Sequence, residues 1–170
     1  MKTFFARWTH RIISSVFFAG YFPFASGTVG SAVTVVALYF VHRSYPHLFD
    51  IRYAMFHWIF LVGMVGVSII FSRHARELYG GDDPGQVVID EVAGQLFVFF
   101  MLPLSWRNLL LGFLLFRFFD IVKPFPANKM EEMDDGVGIT MDDVVAGIYA
   151  NLTLFCIRSG YHWVSGLLHA

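Results

Sequence analysis

The chain has 170 residues, of which 56% are hydrophobic, 18% aromatic and only 15% charged, with a formal net charge of −1. That mix excludes a disordered chain and a basic nucleic-acid binder, and the single cysteine, Cys156, can neither close an intrachain disulfide nor build a cysteine zinc site. A mean hydropathy of +0.60 asks for more burial than a soluble surface of this length allows, so residues 1–170 read as one integral membrane domain.

The chain opens on a basic segment carrying Lys2, Arg7 and Arg11. This resembles the front of a signal peptide. The small-residue cleavage pattern that should follow is missing, because Ala19-Gly20 runs into aromatic Tyr21-Phe22-Pro23-Phe24, and the segment is expected to stay in the mature fold. Apolar runs then lie at 12–24, 29–41, 54–71, 92–104, 108–122 and 144–157. They follow one another as helix, loop, helix, without strand alternation, which predicts an all-α, multi-helix membrane bundle with short or broken helices. Only 54–71 approaches the 18–20 residues of a full span. Gly63 and Gly66, and Ala93 with Gly94, are spaced as close helix contacts are, although the same residues also occur as ordinary small positions. Cys156, deep in the last run, is expected to pack in the core.

If the five runs from 29–41 onward each cross the membrane, the polar segments 26–31, 72–91 and 123–143 fall on one face. On that side stand Lys2, Arg7, Arg11, Arg73, Arg76, Arg117, Lys123 and Lys129, against Arg43, Arg52, Arg107 and Arg158 opposite. The bias makes the polar face cytoplasmic. The run 12–24, short and broken by Pro23, must then lie on that face or re-enter it rather than cross.

The carboxylates gather in the same segments: Asp82, Asp83, Asp90, Glu91, Asp120, Asp134, Asp135, Asp142 and Asp143. Asp90-Glu91 and Asp142-Asp143 each precede an apolar stretch, and each pair is expected in the first turn of a helix, where an acid can simply cap free amides. Two such pairs on one face would repel without a cation. Asp90, Glu91, Asp120, Asp142 and Asp143 are therefore candidate ligands of a hard divalent metal, Mg²⁺ or Mn²⁺. Arg117, Asp120 and Lys123 recur at i, i+3 and are expected on one helical side. They form either a self-neutralising network or a site in which Arg117 and Lys123 receive phosphate oxygens. Gly27, Thr28, Gly30 and Ser31 open an apolar helix with small residues and hydroxyls, a cap by themselves and an anion cradle in company. Gly136 and Gly138 read either as a flexible turn or as a second cradle.

Together, Gly27-Thr-Val-Gly-Ser31, Asp83-Pro-Gly-Gln-Val-Val-Ile-Asp-Glu-Val-Ala-Gly94, Arg117-Phe-Phe-Asp-Ile-Val-Lys-Pro-Phe-Pro126 and Gly136-Val-Gly-Ile-Thr-Met-Asp-Asp-Val-Val-Ala-Gly147 resemble the phosphatidylglycerophosphatase A family over about residues 20–157. The chain departs from the family pattern in having Ser26 where a proline is common and Asp135 where a glycine is common. The resemblance implies an all-helical, Mg²⁺-dependent phosphatase of the bacterial inner membrane that converts the membrane lipid phosphatidylglycerophosphate to phosphatidylglycerol, with its site on the cytoplasmic face. Asp90, Glu91, Asp120, Lys123, Asp142 and Asp143 are then the expected catalytic residues, and Glu91 or Asp142 the acceptor of the water proton. Competing readings are a CDP-alcohol-type lipid phosphotransferase, whose Asp-Gly start continues Ala-Arg where this chain has Asp135-Gly-Val-Gly, and an ion carrier or channel, which would need charges through the membrane midplane.

Overall fold

The computed structural model describes residues 4–80, 84–133 and 135–168, and every regular element among them is helical. Asp82, Asp83 and Asp134 lie outside these residues. The helices are α1 (Phe4–Ser14), α2 (Ser26–Ser44), α3 (Ala54–Ser72), α4 (Ala75–Tyr79), α5 (Ile89–Val98), α6 (Trp106–Val122), α7 (Ala127–Met130) and α8 (Asp135–Leu168). The long α8 is the spine on which α3, α5, α6 and α7 pack. Between α5, α6 and α8 lies the main core, built on Val98, Phe116, Ala150 and Leu154, all fully buried.

The run 12–24 does not form one helix. α1 ends at Ser14, and Val16, Phe17 and Phe18 adopt positive φ values of 48°, 52° and 70°, so the chain doubles back at once. Its return is pinned where the Val88 amide donates to the Ser14 carbonyl at 2.9 Å. The segment thus stays at the end of the bundle where α2, α5 and α8 begin.

The run 92–104 forms one of the short, broken helices expected of this bundle. Its helix, α5, stops after ten residues at Val98, about 15 Å of rise and half a bilayer core. Residues 99–105 then turn, with Met101 at φ 59°, and α6 carries the chain back. Deep in an apolar bundle, the last carbonyls of α5 need donors from elsewhere. Asn151 of α8 supplies them: its Nδ2 donates to the carbonyls of Val98 at 2.8 Å and Phe100 at 2.9 Å. Asn108 closes the other side of the turn through Nδ2 to the Pro103 carbonyl at 2.7 Å.

Glycine makes the α5–α8 contact close. A Cβ on Gly147 would strike the carbonyl of Gly94, and one on Gly94 would lie 2.7 Å from Phe116. The other glycine pair behaves differently: Gly63 and Gly66 face open space, so the expected helix contact there does not form. Gly136 and Gly138 belong to the first turn of α8, and Gly136 presses on the backbone of Arg73. At both positions a Cβ would collide with neighbouring backbone, of Ile69 and Arg73 at Gly136 and of Met133 at Gly138.

Among the described residues, two helical stretches, Ile51–Ser72 and Gly136–Ser165, are long and apolar enough to cross a membrane. The first is largely uncovered: Met55, Phe56, Ile59, Phe60 and Val62 are each more than half exposed. A contiguous apolar surface of this kind needs a nonaqueous covering. Cys156 joins that outer surface instead of the core, because its neighbour Leu154 takes the buried side of α8.

Candidate active site

The polar segments meet at one end of the bundle. Asp90 and Glu91 are the second and third residues of α5, as expected for a first turn. Asp142 and Asp143 are not in a first turn, since α8 begins at Asp135, two turns earlier. They lie inside the helix, 6% and 3% exposed, so helix capping does not account for them. Burial of a carboxylate without partners is strongly unfavourable, which makes their surroundings informative.

Carboxylate oxygens of Asp90, Glu91 and Asp143 all lie within 4.8 Å of one another. Glu91 keeps a buried Oε2 with no hydrogen-bond partner. Local backbone contacts orient two members of the acidic pairs: Asp90 Oδ1 accepts from the Glu91 amide at 3.0 Å and Asp142 Oδ1 from the Asp143 amide at 2.9 Å. Three hard oxygen donors converging in a buried place match what a divalent cation requires. Asp120 and Asp142 stand outside this trio, each engaged by a cation.

Arg117 is the cation for Asp120: Nη1 lies 2.8 Å from Asp120 Oδ2 and 4.0 Å from Glu91 Oε1. Its buried Nε and Nη1 make no aligned hydrogen bond, leaving donor capacity unspent beside the carboxylates. Gly27 completes this corner, for a Cβ there would collide with Glu91 and lie 3.1 Å from Arg117 Nη1. Only glycine lets the start of α2 come so close.

Lys123 departs from the i, i+3 expectation. It ends α6 in the left-handed region, at φ 45°, a conformation that costs a non-glycine residue roughly 1–2 kcal/mol. The turn swings its ammonium away from Asp120 to Asp142, at 2.8 Å, and to Glu131, at 2.7 Å. Burial works against the ammonium, but the hydrogen bonds to Asp142 and Glu131 outweigh it and hold the Lys123 pKa above its ordinary value. Glu131 had no motif to mark it; only the fold brings it to Lys123.

The small-residue start of α2 divides. Gly27 and Thr28 occupy its first turn, Gly27 beside Glu91, whereas Gly30 and Ser31 are buried against the bundle. A Cβ on Gly30 would meet Val88, and the buried Ser31 hydroxyl donates to the Gly27 carbonyl at 2.9 Å. Gly30 and Ser31 are thus engaged in helix packing and internal bonding.

Among known proteins, the family model of phosphatidylglycerophosphatase A matches residues 12–158. A Bacteroides thetaiotaomicron protein provisionally named a phosphatidylinositol-3-phosphatase is 34% identical over 91% of this chain and 94% of its own. The phosphatidylglycerophosphatase A of Escherichia coli is 31% identical over 89% of this chain and 84% of its own, and that of Haemophilus influenzae is 47% identical over 46% and 50%. No solved structure matches the chain. The chain therefore belongs to the phosphatidylglycerophosphatase A family, and it is a phosphatase.

Proposed function

We propose that the protein hydrolyses the phosphomonoester of phosphatidylglycerophosphate, releasing phosphatidylglycerol and inorganic phosphate, with Mg²⁺ as cofactor. The observation that carries this reading is the convergence of Asp90, Glu91 and Asp143 within 4.8 Å, bordered by Arg117 and Lys123. Held by those three carboxylates, Mg²⁺ would offset their repulsion and draw charge off the phosphate oxygens. Arg117, with unspent donors, binds and orients the phosphate and stabilises the charge that builds on it during in-line attack by water. Lys123 keeps Asp142 ionised beside the trio, where Asp142 accepts the water proton. Gly27 and Thr28 leave first-turn amides of α2 open to the same phosphate.

In this reading the bundle is multi-pass in the bacterial inner membrane, and the site faces the cytoplasm. Because α5 ends half-way, α5 and α6 form a re-entrant hairpin rather than two full spans. Single cysteines placed at 84–88 or 127–130, in a Cys156→Ser background, should resist impermeant thiol reagents on intact cells; labelling from outside overturns the orientation.

Phosphate release by the purified protein from phosphatidylglycerophosphate, with and without Mg²⁺, tests the reaction. The Bacteroides relative supports a second substrate, a phosphorylated inositol lipid. Phosphatidylinositol 3-phosphate in the same assay decides between them, and faster release from it reassigns the headgroup. An ion-pathway reading finds less support, since the described site charges collect at one end of the bundle.

A further inference from the structure

An apolar groove of about 730 Å³ runs between α2 and α3, with α5 as its floor. We infer that it holds one acyl chain of the lipid whose phosphate sits at the carboxylate cluster; this rests on the lipid-phosphatase reading above. Its near end adjoins the site. Val92, beside Glu91, lines the groove together with Thr34, one helical turn beyond Gly30, while Gly27 on the same helix touches Glu91 and Arg117. A chain attached to a headgroup at Gly27 therefore enters the groove within one or two turns of α2, about 5–10 Å.

The walls suit a hydrocarbon chain. Ala37 on α2, Met64 on α3 and Leu96 on α5 face one another across it. Three hydrogen-bonding side chains line it, Thr34, His57 and Tyr53; the Thr34 hydroxyl donates to the Gly30 carbonyl at 3.0 Å and His57 Nε2 bonds the Leu48 carbonyl, while Tyr53 belongs to the turn at the far end. Along the walls between those polar groups the lining is hydrocarbon, which favours an apolar occupant over water.

The far end is closed. The short helical turns Pro46–Phe49 and Ile51–Tyr53 fold over it, and the Phe49 ring is stacked on His57 at 5.8 Å and set edge-on to His42 at 5.3 Å. From Phe56 to Met64, α3 rises about 12 Å along the groove. Spread over that length, the volume is narrower than a helix with its side chains, which is about 10–12 Å across, so a helix of a second copy does not fit. The closed end should also limit the chain length that the enzyme prefers.

The test combines kinetics with photolabelling. In wild-type protein, dipalmitoyl and dihexanoyl phosphatidylglycerophosphate are compared by kcat/KM. Ala37→Phe, and independently Met64→Trp, should lower the long-to-short ratio tenfold or more, while Leu152→Phe on the outer face of α8 leaves it unchanged. A phosphatidic acid with a diazirine in mid-chain should label Ala37, Met64 or Leu96 in wild type, and Ala37→Phe should remove that label without reducing label on the exposed Ile59. An unchanged ratio in both groove variants, or photolabel confined to outward-facing residues, overturns the acyl site. If no lipid phosphate is released yet the groove is labelled, the acyl site stands and the phosphatase reading of this protein falls.

Discussion

The ammonium of Lys123 sits 2.8 Å from the carboxylate of Asp142 and 2.7 Å from that of Glu131, joining the end of α6 to the interior of α8 and to the stretch after α7. Asp142 is 8% exposed at its side chain, so loss of the lysine leaves a buried carboxylate without its cation. Lys123→Ala should cost about 3 kcal/mol of stability, seen as a lower melting temperature in detergent, and should reduce turnover roughly 10²-fold. The double variant Lys123→Ala/Asp142→Asn should regain stability but not rate. Recovery of both would confine Lys123 to a structural role.

Removal of divalent metal with EDTA should abolish phosphate release, and Mg²⁺ should restore it. Asp90→Asn, Glu91→Gln and Asp143→Asn should each lower turnover at least 10²-fold and remove the rise in melting temperature that Mg²⁺ gives the wild type. Without metal, each variant should melt no lower than wild type, because one of three crowded carboxylates has become neutral. Full activity after exhaustive chelation would refute a metal-dependent reaction.

Asn151 is the one side chain that bonds both the Val98 and the Phe100 carbonyls at the break between α5 and α6. Asn151→Leu keeps the size and removes both donors. It should destabilise by roughly 2–4 kcal/mol, two buried carbonyls at about 1–2 kcal/mol each, and thermal unfolding in detergent measures it. An unchanged melting temperature would mean that the turn at 99–105 finds donors elsewhere.

His10, on α1, packs against the rings of Phe71 and His74 at 4.8 and 5.0 Å. Burial lowers its pKa from the usual 6.5, and His74 beside it lowers it further. A folded-state pKa below the unfolded one means the native state favours neutral imidazole. The associated stability is complete above about pH 6.5 and is lost as pH falls below it toward the folded value. Melting temperature should therefore drop as pH falls below about 6.5, and His10→Phe should flatten that drop. An identical pH slope in the variant would assign the effect to other groups.

Much of this protein was legible in its sequence. Hydropathy and periodicity sufficed for an all-helical bundle with its polar segments at one end, because a 3.6-residue repeat and the cost of burying charge act locally. The acidic pairs, Arg117 and Gly27 were marked by charge or small size in apolar surroundings, and the structure brings all of them to one place. What depended on tertiary structure were the partnerships. Pro103 marks an interruption of this run, but where α5 stops, at Val98, was not legible; the break persists there because Asn151, 53 positions away, satisfies its carbonyls. Lys123 abandons Asp120 because a left-handed residue ends α6 and redirects its side chain, a φ value that helical spacing does not anticipate. Asp142 and Asp143 lost their capping explanation because α8 starts earlier than its apolar stretch, with Gly136 allowing close contact to α3. Which carboxylates can share a cation was likewise a matter of distance between helices. Spacing along the chain specifies which residues share a helical face; only packing decides which faces meet.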